Sequence, residues 1–82
     1  MTNLEFDILD ELYFVISFDE LVQKSELKED DLIVGLKSLY DKRWIKILKT
    51  HDEEVFNVDL TVNYHNYFYL ATKQGLLAHN LR

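Results

Sequence analysis

Residues 17–49, SFDELVQKSELKEDDLIVGLKSLYDKRWIKILK, constrain the fold more than any other stretch of this chain. Ser17-Phe18-Asp19-Glu20 matches the Ser/Thr-x-x-Glu capping box that opens a helix, and Asp19 and Glu20 suit the positive end of its dipole. A short helix over Phe18–Lys24 is expected, with Leu21 and Val22 inward. Lys24-Ser25-Glu26-Leu27 makes the turn, and Leu27 anchors the start of the next element. A longer helix then runs over Glu29–Lys42. Leu32, Leu36, Leu39 and Tyr40 fall on one stripe of it, at helical spacing. Trp44–Lys49 is β-rich and reads as a strand. Two helices joined by a tight turn, followed at once by a strand, leave few ways to build a small core.

The flanking segments fill in the rest. Thr2-Asn3-Leu4-Glu5 is another capping box, and a helix over Leu4–Ile16 is expected. At 100° per residue its apolar arc exceeds half the circumference. Phe6, Tyr13 and Phe14 supply the extra width, which either meets another chain or is wrapped by the remaining helices. Val55–Val62 alternates apolar and polar residues, with Phe56, Val58, Leu60 and Val62 on one face, and reads as a strand. Tyr67–Leu70 reads as a third strand. Thr72 caps a last helix whose Leu76, Leu77 and Leu81 pack inward or against a partner. Gly35 sits within the third helix, at a cost of about 1 kcal/mol against alanine. It either permits close helix approach or is tolerated. The resulting order is helix, helix, helix, strand, strand, strand, helix. That is one α+β domain over residues 1–82 with a small antiparallel sheet.

Charge divides the chain. The net charge is −6, but residues 32–49 carry Lys37, Lys42, Arg43, Lys46 and Lys49 against Asp41 alone. The segments on either side are acidic. A basic centre flanked by acid is either a local anion-binding patch or an ordinary mixed surface. There are no cysteines, which excludes thiol catalysis, disulfides and cysteine zinc sites. The acidic N-terminus does not read as a secretory or mitochondrial signal, and no apolar run spans a bilayer. A cytoplasmic location and no membrane contact are expected.

No catalytic constellation stands out, and no enzyme activity, cofactor or metal is expected. His51, His65 and His79 lack metal-ligand spacing, and His51-Asp52-Glu53-Glu54 reads as a solvated turn. Ser17, Ser25 and Ser38 lack a histidine placed to activate them. Two glycines cannot form a phosphate-cradling loop. The tyrosines and Trp44 read as core or interface.

Three stretches carry a family resemblance. They are Asp19-Glu20-Leu21-Val22, Leu36-x-x-Leu39-Tyr40-x-x-Arg43-Trp44-Ile45, and Tyr69-Leu70-Ala71-Thr72-Lys73-Gln74-Gly75. Together, over about residues 4–80, the chain resembles the winged helix-turn-helix fold, in particular the small regulators of the multiple-antibiotic-resistance (MarR) and PadR type. The resemblance implies a three-helix core, a β-sheet wing and a C-terminal helix. It also implies a transcriptional regulator whose third helix and wing bind duplex DNA; a homodimer is expected from the width of the first helix's apolar arc and from Leu76, Leu77 and Leu81. Three features depart from the pattern. Arg43 stands where a glycine usually ends the recognition helix, Lys28 replaces a serine or threonine cap, and the wing is long.

Carried over by position, the DNA-contacting residues are Lys28, Val34, Lys37, Ser38, Lys42, Arg43, Lys46 and Lys49. The outward face of the third helix is Asp30, Asp31, Val34, Lys37, Ser38 and Asp41, which is net acidic. Phosphate contacts require Lys or Arg. The alternative is a module of the same fold that works by protein contact or dimerisation, with Phe6, Tyr13, Phe14, Leu77 and Leu81 as the expected dimer interface.

Overall fold

The computed structural model describes residues 1–81 and is α+β. Helices α1 (Asn3–Asp10), α2 (Phe18–Ser25), α3 (Glu29–Asp41) and α4 (Lys73–Asn80) pack against one sheet. Its strands are β1 (Ile16–Ser17), β2 (Ile45–Thr50), β3 (Glu53–Val55) and β4 (Phe68–Ala71). They lie in the order β1-β4-β2-β3, and every pairing is antiparallel.

The first helix is shorter than its periodicity suggested. It starts as expected: the Thr2 hydroxyl accepts from the Glu5 N–H at 3.1 Å, and Glu5 Oε1 accepts from the Thr2 N–H at 2.9 Å. It stops at Asp10, because the Leu12 carbonyl accepts from the Ala71 N–H at 2.9 Å and leaves the helical ladder. Ile16 then pairs with Tyr69 in the sheet. Val15 and Ile16 are β-branched and favour this outcome. The wide apolar arc was therefore two elements read as one. Its width gives no argument for a partner.

The sheet turns Ile16, Ile45, Ile47, Tyr69 and Ala71 toward the helices, and all five are buried. Register and the two-residue period place Lys46, Leu48, Phe68 and Leu70 on the other face. The core adds Ile8, Leu9, Leu12, Phe18, Leu21, Leu32, Leu36, Leu39 and Leu60. Tyr69 donates its hydroxyl to the Tyr64 carbonyl at 2.8 Å, and burial pushes its phenol pKa up.

Two junctions explain sequence features directly. Helix α3 ends with the Trp44 N–H on the Leu39 carbonyl and the Arg43 N–H on the Tyr40 carbonyl, the Schellman pattern. Arg43 adopts φ 62° to make this turn, the conformation glycine would take without cost. The Thr72 hydroxyl donates to the Arg43 carbonyl at 2.8 Å and accepts from the Gly75 N–H at 3.2 Å. A Cβ on Gly75 would run into the Trp44 carbonyl oxygen. The Thr72-to-Gly75 spacing thus clamps α4 onto the end of α3. Gly35 has the other role considered for it: a Cβ there would overlap the Ile8 side chain, so it lets α1 approach α3 closely.

The expected strand over Val55–Val62 does not form beyond Val55. Asn57 turns out of the sheet at φ 56°, and its N–H bonds the Tyr40 hydroxyl at 3.0 Å instead of β2. Asp59 accepts from the Thr61 N–H and hydroxyl at 2.9 and 2.6 Å, which closes a side-chain turn. Of the alternating residues, Leu60 is buried and Val58 packs against the core, whereas Phe56 and Val62 are exposed. A short 3-10 turn at Tyr64–Asn66 leads into β4.

Candidate binding face around the third helix

Helix α3 is enclosed on two flanks, and the α1 flank engages residues that the sequence had placed outward. On the α1 flank, Glu5 is buried and uses both oxygens. Its Oε2 accepts from the Ser38 hydroxyl at 2.9 Å and from Lys42 Nζ at 2.6 Å. Burial pushes the Glu5 carboxyl upward. The bonds from Lys42, the Thr2 N–H and Ser38, with the Lys42 charge, outweigh that and hold it at about 2. Lys42 Nζ also lies 4.9 Å from the centre of the Trp44 ring. Ser38 and Lys42 therefore face α1, engaged with a carboxylate.

The other flank is covered by the crossover that joins β3 to β4. Its contacts run in order along the helix. Asn57 meets Tyr40. The Thr61 hydroxyl and N–H hold the Asp59 carboxyl below its ordinary range, and the Lys37 charge adds to the effect. His65 Nε2 lies 3.2 Å from Glu29 Oε1, and its Nδ1 lies 3.5 Å from Asp19 Oδ1. The segment thus descends α3 antiparallel to it, with Leu60 as its apolar anchor.

What remains open on α3 is Asp30, Asp31, Val34, Lys37 and Asp41, all exposed. Its only basic side chain, Lys37, feels Asp59. The acids at the helix start have a local reason. Lys28 makes no side-chain cap bond, and Glu29, Asp30 and Asp31 complement the helix dipole in its place.

The expected DNA contacts are dispersed by this arrangement. Lys28 lies at the N-terminal end of α3. Ser38 and Lys42 face α1. Lys49 is exposed at a register shift in β2. Arg43 and Lys46 do come together, in a groove of about 440 Å³ beside the C-terminal end of α3. Asp41, Glu54, Tyr40, Phe56 and Asn57 share that groove with them. Sequence reasoning missed Glu54, Phe56 and Asn57 as its walls. The Asn57 turn has no hairpin signature, and Phe56 was assigned to a strand face.

The expected dimer residues also divide. Phe6 stacks on His79 at 4.3 Å. The Tyr13 hydroxyl sits 2.7 Å from His79 Nδ1 and donates to Asn80 Oδ1 at 2.9 Å. His79 Nε2 lies 3.4 Å from Asp10 Oδ1. These contacts tie α4 to α1 within one chain. Phe14, Leu77 and Leu81 are 83%, 53% and 86% exposed, so the last two do not pack inward.

Among the described residues no helix is long and apolar enough to cross a membrane. Comparison with protein-family models, curated proteins and solved structures returned no match.

Proposed function

We propose that this chain is a winged-helix module that works by protein contact rather than by reading duplex DNA. The order of elements, with β4 paired between β1 and β2, supports the winged-helix reading. The observation that carries the functional part is the open face of α3. It presents Asp30, Asp31 and Asp41 against one lysine, and the two neighbouring polar residues, Ser38 and Lys42, are bonded to Glu5. A helix that enters a DNA groove brings its outward side chains close to phosphate, where such a face is repelled. Phe14, Leu77 and Leu81 supply exposed apolar area for a second copy or another protein.

The reading of a DNA-binding regulator keeps one favourable observation: Arg43 and Lys46 share a groove. Fluorescence anisotropy with a labelled random-sequence duplex at low salt separates the two. The protein-contact reading expects no binding at tens of micromolar protein, the weak end of non-specific affinity. Binding that falls steeply with added salt sinks it. Sedimentation at high micromolar concentration then tests the homodimer. A monomer there rules out self-association as the contact.

A further inference from the structure

His65 lies at the far end of the crossover, between the starts of α2 and α3. Its Nδ1 is 3.5 Å from Asp19 Oδ1, and its Nε2 is 3.2 Å from Glu29 Oε1. The ring meets Phe18 edge-on, with centroids 4.9 Å apart, and lies 4.4 Å from the Tyr64 ring. Phe18 is buried, and Tyr64 packs against the core. Aromatic packing therefore sets the place of the imidazole, independently of the two carboxylates it faces.

The two nitrogens impose a chemical condition. An ionised carboxylate only accepts hydrogen bonds. A neutral imidazole carries one N–H, so it turns that N–H toward one acid and a bare lone pair toward the other. Only the imidazolium presents an N–H to each. No ion pair among the described residues joins Asp19 or Glu29 to a lysine or arginine. The positive ends of α2 and α3 oppose a cation here. The acids of their first turns, Asp19 and Glu20 in one and Glu29, Asp30 and Asp31 in the other, offset that opposition. His65 is half exposed, so each pair contributes little. The segment it holds has few other ties. Leu60 anchors its middle, and the bond from Asn57 to Tyr40 holds its opposite end.

We infer that His65 is a pH-dependent latch on the crossover. Protonated, it ties the segment to the starts of both α2 and α3. Neutral, it keeps one of the two acids and loosens that end. Histidine changes charge between about pH 5 and pH 8, so the latch is closed at the acid side of that range and open at the other. Because the crossover covers one flank of α3, the latch governs access to that flank. It operates whatever molecule meets the open face of α3.

The test is amide hydrogen exchange of the natural chain at about pH 5 and about pH 8, the range over which histidine titrates. Each rate is divided by that of an unstructured peptide at the same pH. Protection in residues 61–66 should be about threefold higher at the lower pH, as two weak ion pairs allow. His65→Gln, at a half-exposed position, should abolish the difference and leave the protection of α1 unchanged. Asp19→Asn/Glu29→Gln should also abolish it with the histidine in place. His51 and His79 remain in both variants, so any pH dependence they cause survives there. Protection that does not change with pH in the natural chain overturns the inference, as does tighter protection at the higher pH. The same pH dependence in His65→Gln overturns it too.

Discussion

The two flanks of α3 are closed by different physics. On the α1 side a buried carboxylate gathers a hydroxyl, an ammonium and a backbone N–H, and a glycine lets the helices meet. On the crossover side one leucine anchors an irregular segment, helped by a tyrosine bond and a half-exposed histidine. The first closure is polar and depends on charge. The second is apolar and depends on fit. The first engages Ser38 and Lys42, which a DNA-reading helix would need free, and the open face of α3 is left acidic.

The largest effect should come from removing the apolar anchor. Leu60→Ala should lower stability by about 3 kcal/mol in urea unfolding, as for other buried leucines. Hydrogen exchange in residues 57–66 should rise more than exchange in α1. Equal loss of protection on both flanks would break the distinction between them.

The charged flank should respond to acid. The Glu5 carboxyl falls from an ordinary 4.5 to about 2 on folding. Its contribution is therefore fully present above the unfolded value and lost as pH drops from about 4.5 toward 2. A loss on the order of 2 kcal/mol is expected across that window. Glu5→Gln should flatten that part of the stability-versus-pH curve. An unchanged curve in the variant would place the acid sensitivity elsewhere.

Where the helix ends, relief of backbone strain should be measurable. Arg43→Gly should stabilise the fold by about 1 kcal/mol, since glycine adopts φ 62° freely. Destabilisation would mean that the Arg43 side chain contributes more than its backbone costs. The smallest effect belongs to Phe56→Ser. Within about 0.5 kcal/mol of the natural chain, it would sharpen the contrast with Leu60, four residues on in the same segment.

The charged flank was half legible in the sequence. The capping box identified Glu5 as the reciprocal cap of α1, but its second oxygen bonds residues that lie far along the chain. No local pattern records that choice, so Ser38 and Lys42 were assigned to a DNA face. Gly35 and the Thr72-to-Gly75 spacing were visible and had close approach as their cause. The crossover was not legible. Its alternation is real at Val58 and Leu60, but period two cannot distinguish pairing with a strand from lying against a helix. The same limit hid β1, because two residues of strand continue a helical stripe without interruption. The acidity of α3 was read correctly. Its local origin, in a helix start without a side-chain cap, required the structure.

Charge on the open face of α3 is proposed to keep this chain off DNA. The most direct test compares duplex affinity, as a function of salt, for the natural chain and for Asp30→Lys/Asp41→Lys, which inverts the open stripe around Val34 and Lys37. The natural chain should show no salt-sensitive binding at low ionic strength, and the variant should gain it. Salt-sensitive binding by the natural chain, or no gain in a folded variant, would contradict the account.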